Sequence, residues 1–179
     1  MPSTAPSTIA HALDSGAAGV LVPLVNTAAA AEAAALAARY PPEGLRGAGP
    51  GRASLYGLER EASIANARAE TVVAVQIETG TAVENLDAIL AVDGIDLIFV
   101  GPNDLSHSLG RPADEELRTV IDDVLQRATA AGRLTGILAP TAELAARYRQ
   151  AGCALLVTGT DLGCLAAGAR GFLAGGRGQ

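Results

Sequence analysis

The chain has 179 residues, of which 49% are hydrophobic, 18% charged and 3% aromatic, a composition that is typical of one globular domain and excludes an intrinsically disordered chain. Its formal net charge of −6 argues against a nucleic-acid partner, because no basic surface is available to neutralise phosphates. No apolar run reaches the ~20 residues that span a bilayer, and the N-terminus lacks a signal-peptide pattern, so we expect no membrane partner and a cytoplasmic location.

Three segments are expected along the chain: a flexible tail at residues 1–8, a folded domain at residues 9–174 and a second flexible tail at residues 175–179. Within the domain, the predicted strands are the short apolar runs at residues 19–25, 72–77, 95–100, 134–139 and 154–158. These runs do not alternate with polar residues, which is typical of parallel strands that are covered on both faces. Helical patterns separate them, so the sequence predicts an α/β fold of five β/α units.

Two architectures fit this order of elements: a doubly wound sheet and part of a (β/α)8 barrel. No glycine-rich phosphate-binding motif follows any of the strands, which weakens the nucleotide-binding version of the doubly wound sheet. We expect Asn26 to cap the helix after the first strand. Thr81, three residues before Glu84, is expected to begin the helix after the second strand.

A long loop rich in glycine and proline, PPEGLRGAGPGRASLYG, follows the first β/α unit. Loops of this length in compact domains are usually functional or mobile. The loop carries Arg46 and Arg52, for which two interpretations stay open. Each arginine could be solvated, or at least one could contact an anionic ligand or a partner subunit.

Two carboxylates follow neighbouring predicted strands: Glu78 ends the second apolar run, and Asp104 lies in the motif GPNDLS after the third. A helical crossover makes these strands parallel, so we expect both carboxylates at the same edge of the sheet. Spacing alone leaves three uses open for such a pair. It could bind a hard divalent cation, form structural ion pairs or helix caps, or act as general acid and base.

The neighbours of the pair favour a cation site. Gln76 lies on the same strand face as Glu78, because strand side chains alternate. The Gly101-Pro102 turn would aim the backbone N–H groups of Asn103 and Asp104 into the same space, where they could bind a carboxylate. A cation beside such a turn would suit the binding of a 2-oxo acid.

Five motifs occur in order along the chain: YPPEGLRG (Tyr40–Gly47), VQIET (Val75–Thr79), VGPNDLS (Val100–Ser106), GIL (Gly136–Leu138) and VTGTD (Val157–Asp161). From about Ile9 to Ala174 the chain resembles the HpcH/HpaI aldolase/citrate lyase family of metal-dependent pyruvate aldolases. The resemblance implies an incomplete (β/α)8 TIM-type barrel and a homo-oligomer. It also implies reversible cleavage of a 4-hydroxy-2-oxo acid to pyruvate, or a related 2-oxo acid, and an aldehyde.

The resemblance also implies roles for individual residues. Glu78 and Asp104 would be the ligands of a divalent metal, Mg²⁺ or Mn²⁺ with Co²⁺ as a further candidate. The residues that would contact the substrate are Gln76, Asn103, Asp104, Ser54 and Leu138, the last two of them on the aldehyde side.

The chain departs from the family in its number of strands, since a closed (β/α)8 barrel has eight strands and ~250 residues. The resemblance places the family's histidine base, and an arginine that steadies the enolate, in strands without a counterpart here. An acidic residue that supports this base would fall near Ala5 or Pro6 and is absent. His107 does not occupy the position of the base, and we interpret it as a loop or surface residue.

Three functional hypotheses follow from these observations. The first is a carbon–carbon lyase whose base comes from a partner chain or from hydroxide on the metal. The second is a non-catalytic fragment that binds metal or assembles with homologous subunits. The third, less favoured, is a related lyase that acts on an acyl-CoA thioester.

Overall fold

A computed structural model describes residues 3–176. The described chain folds around a five-stranded parallel sheet in which strands that are consecutive in sequence are neighbours. The strands are Gly19–Val22 (β1), Val72–Ile77 (β2), Leu97–Val100 (β3), Leu134–Leu138 (β4) and Leu155–Val157 (β5). This order confirms the partial (β/α)8 barrel and excludes the doubly wound sheet, in which the strand order reverses.

Helices occupy most of the segments between the strands. They are Pro6–Asp14 (α1), Ala28–Ala38 (α2), Arg60–Glu70 (α3), Gly80–Glu84 (α4), Leu86–Leu90 (α5), Pro102–Ser108 (α6), Asp114–Ala130 (α7), Ala142–Gln150 (α8) and Asp161–Gly176 (α9). An irregular 3₁₀ segment, Arg52–Gly57, precedes α3. Among residues 3–176, no helix is both long and apolar enough to cross a bilayer.

The sheet buries a different set of side chains on each face, because successive residues of a strand point to opposite sides. The outer face packs with the helices into the main core, which includes Val73, Val75, Ile77, Ile98, Val100 and Ile137. The inner face carries a smaller cluster of Ala74, Leu97 and Phe99, with Leu21, Leu138 and Val157 packed against it. This inner face corresponds to the interior of a barrel, so the described chain forms a half-barrel.

Two of the predicted helix starts are wrong. Thr27, rather than Asn26, caps α2 by accepting a hydrogen bond from the amide three residues further on. Thr79, rather than Thr81, caps α4 in the same way. Both capping threonines have the extended backbone of an N-cap residue, with φ of −143° and −138°.

Proline begins two helices where the sequence predicted a tail and a turn. Helix α1 starts at Pro6, so residues 6–8 are helical and do not belong to the predicted tail. The predicted turn at Gly101-Pro102 is the start of α6. In both helices the proline suits the first turn, where its missing N–H would have no carbonyl partner.

The predicted end segments lie partly outside the described residues. Gly175 and Gly176 belong to the end of α9. Residues 1–2 and 177–179 fall outside the described range. The flexibility of both ends stays a prediction.

A buried arginine, Arg39, holds the amino-terminal edge of the sheet together. Its side chain is 4% exposed and pairs with Asp96 at 2.7 Å. It also donates to the Thr71 carbonyl at 2.9 Å, and Asp96 accepts the Val73 amide at 2.8 Å. The end of α2 is thereby bonded to the residues that lead into β2 and β3.

A second buried arginine, Arg46, has neither of the roles considered for it from the sequence. It donates to Asp14 through Nε at 3.0 Å and Nη2 at 2.8 Å, and it stacks on the Tyr40 ring at 4.5 Å. The Gly-rich loop is thereby fixed to α1 by an ion pair within the chain. Arg52 is exposed and passes close to Gly16.

Candidate active site at the carboxyl edge of the sheet

The carboxyl ends of three central strands bring two of the predicted site residues, Glu78 and Leu138, into one row. The last paired residues of β2 and β3 lie opposite each other, and β3 is in turn in register with β4. One residue beyond Ile77, Glu78 is therefore level with Gly101 and Leu138. Because Gly101 has no side chain, the side chains of Gln76 and Glu78 can pack directly against its backbone.

Glu78 is a buried carboxylate that is hydrogen bonded but forms no ion pair with the described residues. It is 3% exposed, and its Oε1 accepts the backbone N–H of Leu24 at 2.7 Å. Its Oε2 accepts Nε2 of Gln76 at 2.7 Å, which confirms that these two side chains share a strand face. A carboxylate has about four acceptor positions, so both oxygens can still bind a ligand.

Asp104 lies in the first turn of α6, directly after β3. It is exposed, and the ion pairs of the described chain do not involve it. Its position next to the end of β3 confirms that it lies at the same edge of the sheet as Glu78. The backbone N–H groups of Asn103 and Asp104 belong to the helix start, where amides have no intrahelical carbonyl partner.

Polar side chains tie together the loops that carry the two carboxylates. The hydroxyl of Thr79 donates to Oδ1 of Asn26 at 2.6 Å, and Nδ2 of Asn85 donates to the Asn26 carbonyl at 2.9 Å. The amide of Gly80 donates to Oγ of Ser108, at the end of α6, at 3.0 Å. The loops after β1, β2 and β3 therefore form one connected rim around the site.

Two of the predicted substrate residues line one cavity. Asn103 and Leu138 border a space of about 400 Å³ between the carboxyl edge and helices α7 and α8. Its wall on the helix side combines four charged residues with Leu117, Ile121, Leu144 and Tyr148. The volume is in the range of small-molecule sites in proteins, but Gln76, Glu78 and Asp104 do not line this cavity.

Ser54 does not lie with the other predicted site residues. Its hydroxyl donates to the Gly51 carbonyl at 3.1 Å, and Gly51 packs against Asp14 near the end of α1. Helix α1 ends immediately before β1 begins, so Ser54 belongs to the amino-terminal edge of the sheet. The six-residue strand β2 separates the two edges by roughly 20 Å. Within one chain, Ser54 is not brought to the space between Asn103 and Leu138.

The backbone amide of Leu24 is part of the site and was missed from the sequence. Leu24 has a left-handed backbone with φ of +53°, a conformation that non-glycine residues adopt uncommonly. Pro23, the preceding residue, is typical of a strand end, because proline cannot donate to the ladder. Nothing in the local sequence indicates that the next amide would reach a carboxylate 54 positions away.

A half-barrel of parallel strands with two carboxylates at their carboxyl ends has the layout of a (β/α)8-barrel enzyme, in which the site lies at that face. The chain belongs to the HpcH/HpaI aldolase/citrate lyase family, whose model matches residues 1–167. This membership confirms the resemblance seen in the five sequence motifs.

Three known proteins show how far the similarity extends. The chain is 43% identical over 169 residues to 4-hydroxy-2-oxovalerate aldolase of Rhodococcus jostii, covering 93% of the chain and 65% of that protein. It is 44% identical over 160 residues to 2-keto-3-deoxy-L-rhamnonate aldolase of Klebsiella pneumoniae, covering 87% of the chain and 60% of that protein. The chain therefore spans 60–65% of the length of these relatives.

The fold comparison agrees with the sequence comparison. A crystal structure of an HpcH/HpaI aldolase/citrate lyase family protein from Burkholderia cenocepacia superposes with a TM-score of 0.86 and 35% identity. The match covers 98% of the chain and 71% of that protein. The two relatives above are named as aldolases, which supports membership of a lyase family.

Proposed function

We propose that this chain carries the metal-binding and 2-oxo-acid-binding part of a divalent-metal-dependent aldolase. The reaction would cleave a 4-hydroxy-2-oxo acid to pyruvate, or a related 2-oxo acid, and an aldehyde. The observation that carries the proposal is the buried Glu78 carboxylate at the carboxyl edge, which the described residues hydrogen bond but do not pair with a cation. The aldolases among the relatives are consistent with this reaction class.

The donor set fits Mg²⁺ or Mn²⁺, with Co²⁺ as a further candidate. Carboxylate oxygens are the ligands that hard divalent cations prefer, and Mg²⁺ is commonly held by one or two carboxylates together with waters and substrate. Glu78 and Asp104 supply two such groups. Among residues 3–176, no group of three or more histidine, cysteine or acidic side chains is placed so that it could hold a metal ion, so a dedicated all-protein cage is not present there. The remaining coordination positions would be left to water and to the substrate.

The amino-acid composition also favours a metal over a Schiff base. All thirteen cationic residues are arginine, and the sequence contains no lysine. An aldolase that works through a Schiff base needs a lysine amine to condense with the substrate carbonyl. This chain therefore supplies no lysine amine for that route, whereas a divalent cation held by its acidic pair could activate a carbonyl.

Each site residue would have a separate task. A bound divalent cation would polarise the keto group and stabilise the negative charge that carbon–carbon cleavage leaves on the 2-oxo acid. Glu78 and Asp104 would hold this cation, and the Asn103 and Asp104 amides would donate to the substrate carboxylate. Gln76, which hydrogen bonds Glu78, would contact the substrate, and Leu138 would form an apolar wall on the aldehyde side.

A second candidate function is binding without turnover. Cleavage needs a base that takes the proton from the 4-hydroxyl group. His11 lies in α1, at the opposite edge of the sheet, and His107 lies exposed in the last turn of α6. This placement favours a base from outside the chain, and without one the chain would bind metal and 2-oxo acid only.

The test is pyruvate formation from a 4-hydroxy-2-oxo acid with added Mn²⁺, together with calorimetric Mn²⁺ binding. The parent is compared with a Glu78→Ala, Asp104→Ala double variant and with a matched Asp93→Ala, Glu116→Ala control, which removes two exposed carboxylates elsewhere. We expect the site double variant alone to lose Mn²⁺ binding and any turnover. Binding without turnover in the parent supports the second candidate, and unchanged binding in the site variant refutes the metal site.

We also propose that the protein is a cytoplasmic homo-oligomer. Helix α9 supports association, because four of its large apolar side chains are 61–86% exposed: Leu162, Leu165, Phe172 and Leu173. Apolar groups of this size on one helix favour contact with another protein surface.

A further inference from the structure

The Glu78 carboxylate is confined by groups from three neighbouring strand ends. Leu24 follows β1, Gln76 belongs to β2, and Gly101 follows β3. Two of these groups donate hydrogen bonds of 2.7 Å, one to each carboxylate oxygen. The third bounds the carboxylate sterically, so its position and its rotation are both restricted.

Leu24 contributes through its backbone and not through its side chain. The side chain is 57% exposed, although leucine is normally buried. The backbone adopts φ of +53°, which is unfavourable for a residue with a Cβ atom. This backbone conformation therefore does not serve to bury the leucine side chain. It directs the Leu24 N–H group at Oε1 of Glu78.

Glycine is needed at position 101 because the Glu78 side chain leaves too little room for a Cβ atom, and not because of the backbone angles of Gly101. Its φ of −99° and ψ of 88° do not fall in the left-handed region that favours glycine. A Cβ atom at this position would lie 3.0 Å from Nε2 of Gln76, 3.0 Å from Cβ of Glu78 and 3.1 Å from its Oε2. Even an alanine would therefore require the Glu78 side chain or its hydrogen-bond donor to shift by a few tenths of an ångström.

We propose that Leu24, through its amide, and Gly101, through the absence of a side chain, are positioning residues that fix Glu78 for cation binding. This inference rests on the proposed function, because it assumes that Glu78 is a metal ligand. Groups that orient a ligand contribute strongly to metal affinity, and their loss typically costs 10–100-fold. The two positions act in opposite ways, one by supplying a donor and the other by leaving room.

Gly101→Ala tests the steric part of the proposal. Mn²⁺ affinity is measured by calorimetry, and far-UV circular dichroism and thermal unfolding report whether the variant is folded. We expect Mn²⁺ to bind roughly 10–100-fold more weakly than to the parent. The matched control is Gly47→Ala, because a Cβ at Gly47 has no neighbour within 4 Å and no positive φ is recorded there. This control should bind Mn²⁺ as the parent does.

Replacing the Leu24 amide by an ester tests the donor part without changing the side chain. The α-hydroxy analogue of leucine at this position removes the N–H group, and we expect Mn²⁺ to bind roughly 10-fold more weakly. The matched control is the same amide-to-ester change at Gly47, whose amide donates no hydrogen bond within the described part of the chain. This control should bind Mn²⁺ as the parent does.

The outcomes separate this inference from the proposed function. Parent-like Mn²⁺ binding by both Gly101→Ala and the Leu24 ester, with binding lost in Glu78→Ala, would overturn the positioning role and leave the metal site intact. Parent-like binding by Glu78→Ala would overturn both. Weak binding by folded Gly101→Ala and by the Leu24 ester, with parent-like binding by Gly47→Ala and the Gly47 ester, supports the proposal.

Discussion

Replacing Arg39 by methionine should destabilise the fold by about 3 kcal/mol. The substitution keeps an unbranched apolar stem but removes the charge-assisted hydrogen bonds to Asp96 at 2.7 Å and to the Thr71 carbonyl at 2.9 Å. Hydrogen bonds to charged groups contribute about 1.5–3 kcal/mol each. The lower value, about 1.5 kcal/mol for each hydrogen bond, applies here. Asp96 is 32% exposed, so water can replace part of the hydrogen bonding that it loses. For a chain of this length the loss corresponds to roughly 6–12 °C in Tm.

The assay is urea unfolding followed by circular dichroism, with the midpoint and the m-value fitted separately. Arg127→Met is the matched control, because Arg127 pairs on the surface with Asp87, which is 83% exposed, and with Asp123. Surface pairs contribute about 0–1 kcal/mol, so the control should lose less than 1 kcal/mol. If Arg39→Met lowers the free energy of unfolding by no more than Arg127→Met does, at equal m-values, then the hydrogen bonds of Arg39 do not stabilise the amino-terminal edge by the expected amount.

Two further predictions concern the cap of α4 and the two cysteines. Thr79→Ala should lower the free energy of unfolding by about 1.5–3 kcal/mol in the same urea assay, because it removes both the N-cap and the 2.6 Å hydrogen bond to Asn26. The control is Thr81→Ala, at the exposed residue that the sequence predicted as the cap, and it should lower this free energy by less than about 0.5 kcal/mol. Equal effects of the two substitutions would contradict Thr79 as the cap. Burial raises the pKa of the Cys153 thiol, so a smaller fraction of this thiol is ionised at pH 8 than without burial. Iodoacetamide should therefore modify the exposed Cys164 roughly tenfold faster than Cys153, as measured by mass spectrometry. Equal rates in the folded protein would contradict the burial of Cys153.

The five strands could be predicted from the sequence because parallel strands that are covered on both faces are continuous apolar runs. Their bounds were less predictable, as β1 shows. The apolar run extends to residue 25, but the strand ends at Val22, since Pro23 cannot donate to the ladder and Leu24 leaves the extended region. The caps Thr27 and Thr79 could not be separated from polar neighbours of similar propensity, because capping depends on backbone angles that the sequence does not specify.

The shared edge of the carboxylate pair could be predicted from the sequence, whereas the positions of Ser54 and Arg46 could not. Parallel strands fix which edge Glu78 and Asp104 share, whatever the loops do. Ser54 and Arg46 lie in a long Gly-rich loop, and no periodic pattern fixes the path of such a loop. The structure places both residues at the amino-terminal edge, on the far side of the sheet from the carboxylates.

The two edges of the sheet differ in whether their charged side chains are paired within the chain. This difference indicates a structural role for the amino-terminal edge and a ligand-binding role for the carboxyl edge. At the amino-terminal edge the buried arginines Arg39 and Arg46 each have a carboxylate partner within 3.0 Å. At the carboxyl edge, Glu78 and Asp104 have no arginine partner within the described chain. A buried carboxylate without a counter-charge costs folding free energy, and a nearby arginine would be the simplest way to reduce that cost. The same uncompensated negative charge is what a divalent cation needs, so the arrangement favours ligand binding at this edge over a purely structural role for Glu78.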